Sequence, residues 1–258
     1  MNVCLPSLAY AGYPLNTVMH NSLVDLGHKI VKHSEADVVI AVGIFQGIEN
    51  KHPDKKYILF QTEGYSSRRK RVEELYAFGP NEIWGFDIEN KREEYTPLGY
   101  HPCLLFKSFL FEDIDVVFVG WQKKKRLAWL GKVRNKWIHL NTRVYFSGAS
   151  DIFDFPDDDK LLGECISRSR IYLNISFSER TTITQWPRIA YPLANEQFVI
   201  TDTYCPVDIP TFDSVKSYDK LVDFYLAHPE ERKEKAKQMT KEYKANFDMR
   251  DILKGRGF

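Results

Sequence analysis

Apolar residues along this chain come in short runs separated by helical or turn-rich stretches. The first run, NVCLPSL from Asn2, predicts a strand. A small and aromatic loop, AYAGYPLN, then leads into TVMHNSLVDLGH, which has helical spacing and a stop at Gly27. HKIVKH predicts a second strand, ADVVIAV a third and YILFQTE a fourth with a polar end. RRKRVEELYAFG predicts a helix stopped by Gly79, and NEIWGF returns as a strand. From Tyr95, YTPLGYHPCLLFKSFLFEDI has two X-Pro steps, a glycine and little period, and reads as a connection. The alternation then restarts: DVVFVG as a buried strand, KKKRLAWLGKV a helix, TRVYFSG a strand, DDDKLLGECISRS a helix and RIYLNISF a strand. A helix opening at Trp186-Pro187-Arg188 runs into the strand from Phe198 to Thr201. The tail is helical, with Pro229 at a helix start and Glu230 and Glu231 at the positive end of its dipole.

Near-continuous apolar strands alternating with helices predict parallel sheets covered on both faces. The interruption splits the pattern into two Rossmann-like α/β domains of unequal size facing a cleft. The predicted divisions are 1–105, 106–248 and a tail, 249–258, for which a return to the first domain is one option. Ligands on such sheets sit at the carboxyl ends of strands. In the first domain those ends carry Tyr10, Gly12 and Tyr13 after the first strand, and Gln61, Thr62 and Glu63 after the fourth.

Composition is that of an ordinary globular protein, with 43% hydrophobic and 28% charged residues. A formal net charge of +1 gives no overall pull toward nucleic acid or membrane, but Arg68-Arg69-Lys70-Arg71 and Lys123-Lys124-Lys125-Arg126 are dense local runs. The four cysteines have neither metal-ligand nor disulfide-framework spacing. No apolar run reaches the ~18 residues of a membrane span, and the N-terminus lacks the basic segment of a leader. A soluble, cytoplasmic protein is the expectation.

The cations following the DVVFVG strand place Lys and Arg beside backbone N–H groups at a helix start, a combination that meets phosphate. The stretch is neither a Walker A motif nor GxGxxG, which disfavours a P-loop kinase or dinucleotide dehydrogenase. A second cluster follows the strand IYLNI: Ser176, Ser178, Glu179, Arg180, Thr181, Thr182 and Thr184 precede a helix with Arg188 in its first turn. The dipole disfavours a cation there, and either an anionic ligand or a nearby carboxylate would offset that cost. Asp157 to Asp159 precede a helix and read as its cap and first-turn acids rather than as a metal site.

RSRIYLNISF, PRIAYPLANEQFVITD and YDKLVDFYLAHPEER, in that order, resemble the C-terminal domain of GT-B glycosyltransferases, especially the compact CgeB-like group. The resemblance spans about residues 113–248, with DVVFVG matching the strand that opens that domain and PLGYHP the interdomain segment. It implies GT-B architecture and a nucleotide-sugar co-substrate, such as a UDP- or GDP-sugar, bound by the second domain. No other cofactor and no metal are implied. The acceptor, a glycan, protein or small molecule, would rest on the first domain near Tyr10, Gly12 and Tyr13.

By position, Gly120, Lys123, Lys125, Arg126 and Arg188 would face the donor diphosphate. Ser176, Glu179, Thr181 and Thr182 would line the donor loop, and Gly148 would border the base. Two positions depart from the broader family, whose helix Arg is followed three residues later by a Glu, with a second Glu eight positions before that one. Tyr191 and Ile183 stand there, which leaves Glu179 or Glu196 as a substitute carboxylate for the ribose, or a different way of holding it.

The implied reaction is metal-independent hexosyl or pentosyl transfer with retention, in which cations and N–H groups stabilise the leaving diphosphate. Arg188 is the main candidate for that work, and Glu63 and His101 are candidate catalytic groups on the acceptor side. Rival readings are a phage-type DNA-base glycosyltransferase, for which the basic runs offer DNA contacts, a sugar-nucleotide 2-epimerase, and a non-catalytic nucleotide-sugar binding module.

Overall fold

A computed structural model describes residues 1–6, 14–43, 51–61, 73–86, 91–106, 111–121, 123–134, 139–147, 159–176 and 186–258. The architecture is mixed α/β, with two sheets whose strand pairs are all parallel. The chain divides into two compact units, Met1–Cys103 with Phe247–Phe258, and Leu104–Asn246. Among the described residues, no helix is long and apolar enough to cross a membrane.

In the first unit, β1 (Asn2–Cys4), β2 (Lys29–Ile30), β3 (Val38–Val42), β4 (Lys56–Gln61), β5 (Glu82–Gly85) and β6 (Glu94–Tyr95) form one sheet in the order β2-β1-β3-β4-β5-β6. β3 and β4 are its centre: every residue of VVIAV is buried, as are Tyr57 through Gln61. Two elements differ from the sequence pattern. HKIVKH contributes only two strand residues at the edge, and β6, equally short, had no apolar run to announce it. Helix α1 (Pro14–Asp25) ends at Gly27, whose φ of +82° is the left-handed conformation that glycine adopts freely. Gly27 N–H donates to Val24 O and His28 N–H to Leu23 O, which satisfies carbonyls of the last turn. Residues 73–77 form the short helix α2.

The C-terminal segment completes this unit. α8 (Met249–Gly255) packs on α1, and a parallel bridge joins Tyr100 to Asp248. Asp248 caps α8 by accepting from Arg250 N–H at 2.9 Å, while the Arg250 guanidinium grips both carboxylate oxygens at 2.9 and 2.6 Å. Arg250 thereby holds the Asp248 carboxyl below its usual range. The folded-state pKa is depressed, so this stabilisation is present above the unfolded value of 3.8 and is lost as pH falls through the folded one. Asp248→Ala is expected to cost about 1–2 kcal/mol at neutral pH. In urea titrations from pH 7 downward, the gap to the native protein should narrow below the ordinary carboxylate pKa; a constant gap would rule out the ionic part of this cap.

The second unit carries β7 (Ile114–Trp121), β8 (Thr142–Ser147), β9 (Ser169–Asn174) and β10 (Val199–Thr201), ordered β10-β9-β7-β8. The helices between them are α3 (Lys124–Arg134), α4 (Asp159–Ser167) and α5 (Trp186–Ala194). The right-handed crossover rule puts α3 on one face and α4 and α5 on the other. The closing helices agree: α6 (Val215–Ala227) packs on α3 and α7 (Pro229–Asn246) on α5. Trp186 stacks on Tyr243 at 5.9 Å, and Thr240 Oγ1 donates to Leu193 O at 2.7 Å, tying α5 to α7. α6 starts with a reciprocal capping box between Ser214 and Ser217.

Candidate functional site

Strand order decides where a ligand can enter the second unit. From β7 the chain moves outward to β8, then returns past β7 to β9 and on to β10. Between β7 and β9 the connections leave in opposite directions, and in open parallel sheets ligands enter a crevice at the carboxyl ends of such a strand pair. α3 and α5 follow β7 and β9, so their first turns sit at the same edge. That brings Gly120, Lys125, Arg126, Ser176 and Arg188 together from three separate stretches of sequence.

Arg188 reaches from α5 across both strand ends. Its Nη1 donates to Ile175 O at 2.7 Å and its Nη2 to Val119 O at 2.6 Å, with the guanidinium 5.1 Å from the Phe118 ring centre. Carbonyls at the ends of β7 and β9 thus take up part of the cation's hydrogen-bonding capacity in the first turn. Gly120 makes room for it, since a Cβ there would lie 2.8 Å from Arg188 Nη2 and 3.2 Å from Phe118 Cζ. The glycine expected to face a diphosphate therefore packs first against an arginine.

Arg126 is only 3% exposed, with its Nε donating to Ile175 O at 2.9 Å and its guanidinium 5.8 Å from the Phe118 ring centre. Burial, reinforced by the Arg188 charge, lowers its pKa to about 9, so it stays cationic at neutral pH. Lys125 is more open, with 26% of its side chain exposed. Its Nζ donates to Ser176 Oγ at 2.5 Å and to Asp202 Oδ2 at 3.0 Å. Ser176 closes the triangle: its N–H donates to Asp202 Oδ1 at 2.7 Å and its hydroxyl to Asp202 Oδ2 at 2.7 Å.

Asp202 is the site residue that sequence reasoning missed. The available signal was its place at the end of β10, which pairs with β9 in the register Thr201↔Asn174 and so sets Asp202 beside Ile175 and Ser176. Buried polar groups hold that corner, with Asn174 Nδ2 donating to Thr201 Oγ1 at 3.0 Å and Thr201 Oγ1 3.1 Å from Thr203 Oγ1. Among the described residues, the cations Lys125, Arg126 and Arg188 outnumber the single carboxylate Asp202 here, a setting suited to phosphate oxygens.

No protein-family model matches the chain, and neither does any curated protein sequence.

Lys123, half-buried, immediately precedes α3, and its carbonyl accepts from Leu127 N–H at 2.9 Å. His101 belongs to the first unit, where Nε2 lies 3.0 Å from Asp25 Oδ2 and Nδ1 accepts from Cys103 N–H at 3.1 Å. Both ring nitrogens are thus engaged inside that unit, fastening the end of α1 to the turn at Pro102–Leu104. Glu196 closes α5 in the left-handed conformation, φ 55°, at the far end of the helix from Arg188, which places it away from the crevice. Tyr191 packs its ring against Phe106, with the ring centres 6.5 Å apart. Tyr10, Gly12, Tyr13, Glu63, Gly148, Glu179, Thr181 and Thr182 lie outside the described residues, as do Ile183 and the run from Arg68 to Arg71. Among the described residues, no group of three or more His, Cys, Asp and Glu side chains is placed to hold a metal ion.

Proposed function

We propose that the protein is a glycosyltransferase of GT-B architecture that moves a hexosyl or pentosyl group from a nucleotide sugar to a glycan, protein or small-molecule acceptor. The observation carrying this reading is the cluster of Lys125, Arg126 and Arg188 at the β7/β9 crevice. The resemblance of residues 113–248 to the donor domain of CgeB-like enzymes supports it.

As the bond from the anomeric carbon to the diphosphate breaks, negative charge develops on the departing oxygen. Fixed cations stabilise that charge without reorganising, the commonest large contribution to such catalysis. In a retaining reaction the acceptor oxygen bonds to the anomeric carbon on the face the diphosphate leaves, and the acceptor proton passes to a phosphate oxygen. No resident metal ion is required. Lys125, partly exposed and held on one side by Asp202 and Ser176, is more accessible to the incoming diphosphate than the buried Arg126.

Release of nucleoside diphosphate from a panel of UDP-, GDP-, ADP- and dTDP-sugars, each offered with a mixed acceptor pool, tests the reading. Release with at least one donor is expected, and Lys125→Ala should reduce it at least tenfold through lost transition-state charge stabilisation. Silence across the panel would remove the transferase reading. Recovery of an isomerised, intact donor would replace it with an epimerase, and thermal stabilisation without release would leave a binding module.

A further inference from the structure

We infer that Asp202 makes the β7/β9 crevice selective for a phosphate ligand that also presents hydroxyl groups, and that it is a specificity-determining residue. The inference rests on the nucleotide-sugar reading and narrows it. Three cations alone would accept any polyanion, inorganic pyrophosphate included. A carboxylate among them works against a bare polyanion by direct repulsion. It also works for any ligand that places a neutral donor beside its phosphate.

Asp202 is built for that task. Ser176 fixes it twice, through the N–H on Oδ1 and the hydroxyl on Oδ2, and Lys125 adds a third bond on Oδ2. An ionised carboxylate offers about four acceptor positions and no donor. Oδ2 takes two of the three bonds and Oδ1 one, so Oδ1 keeps acceptor capacity. Whatever fills it must donate. An ammonium group on the ligand would face Lys125, Arg126 and Arg188, and a second phosphate would face the carboxylate itself. A sugar or ribose hydroxyl meets neither objection. The Asp202 side chain is 11% exposed, at the edge of the site yet largely out of water. There a missing hydroxyl leaves the acceptor unpaired and discrimination is strong.

Calorimetric titration of the whole protein and of Asp202→Asn with UDP-glucose, GDP-glucose, UDP, GDP and inorganic pyrophosphate tests this. The native protein should bind at least one hydroxyl-bearing probe about tenfold or more tighter than pyrophosphate. Asp202→Asn is nearly isosteric and keeps an oxygen for the Ser176 N–H. It should weaken the hydroxyl-bearing probe by about five- to tenfold and strengthen pyrophosphate severalfold. Opposite shifts are the signature, because a merely structural role would move both ligands the same way. Asp202→Glu keeps the charge and should leave pyrophosphate weak. Loss confined to the glucose-bearing probes would assign the hydroxyl to the transferred sugar, and equal loss with UDP or GDP would assign it to the ribose.

Parallel shifts in Asp202→Asn, or native pyrophosphate affinity equal to that of the other probes, would overturn the inference. Failure of every probe to bind would overturn it together with the anion site. Hydroxyl discrimination without diphosphate release would leave it standing and remove the transferase reading alone.

Discussion

Arg188→Ala is expected to lower the free energy of unfolding by about 3 kcal/mol, because it removes two hydrogen bonds from a cation to carbonyls, although Ile175 O keeps its bond from Arg126 Nε. The bonds at issue join α5 to Val119 on β7 and to Ile175 just past β9. Urea denaturation measures the loss, and a change within about 0.5 kcal/mol would show that the guanidinium is not a structural tie. Arg188→Lys should recover only part of the loss, since one ammonium group cannot span two carbonyls as a planar fork does. Gly120→Ala probes the same contact from the other side. Its Cβ would approach the guanidinium within 2.8 Å, and the cation, already held at two points, has little room to give. Both substitutions should also weaken the nucleotide-sugar binding proposed for the crevice, so affinity has to be read on protein shown to be folded.

The second large effect is expected at Gly99. A Cβ there would lie 2.5 Å from Phe247 O, 2.7 Å from Met249 N and 2.7 Å from Met249 Cα, all backbone atoms that no side-chain rotation can move. The close approach is what lets Tyr100 N–H donate to Phe247 O at 2.5 Å and Met249 N–H donate to Tyr100 O at 2.9 Å. Gly99→Ala should cost about 3 kcal/mol or more, at the upper end of overpacking effects, because backbone has to shift. The damage should centre on α8, whose amides are expected to lose hydrogen-exchange protection ahead of the β3 and β4 amides. Uniform loss of protection, or none, would rule out this local account.

Three glycines show what kind of information a sequence carries. Gly27 was readable as a helix stop, because the demand it meets is local: a left-handed turn after a periodic run. Gly99 and Gly120 meet demands set by Met249 and Arg188, 150 and 68 residues away in the chain (249 − 99 and 188 − 120). The same division runs through the site. Lys125, Arg126, Ser176 and Arg188 were legible as candidates because each stands next to a strand end or a helix start. Asp202 was passed over because an acid after a strand is unremarkable until the neighbouring strand is known. For Arg188 the types of partner foreseen were an anionic ligand or a carboxylate, and the structure adds the carbonyls of two strand ends, which the sequence did not announce.

By itself, then, the sequence determined the parallel α/β class of both sheets, through buried apolar runs too continuous for one-sided strands and separated by helices. The first turns of α3 and α5, with their cations, followed from local pattern as well. Only the tertiary structure decided strand order, and with it the crevice between β7 and β9, the pairing of β10 with β9, and the triangle of Lys125, Ser176 and Asp202. The physical reason is range. Helix and strand patterns repeat every few residues and can be read in a short window, whereas strand order and buried polar partnerships depend on which distant segments satisfy one another's hydrogen bonds.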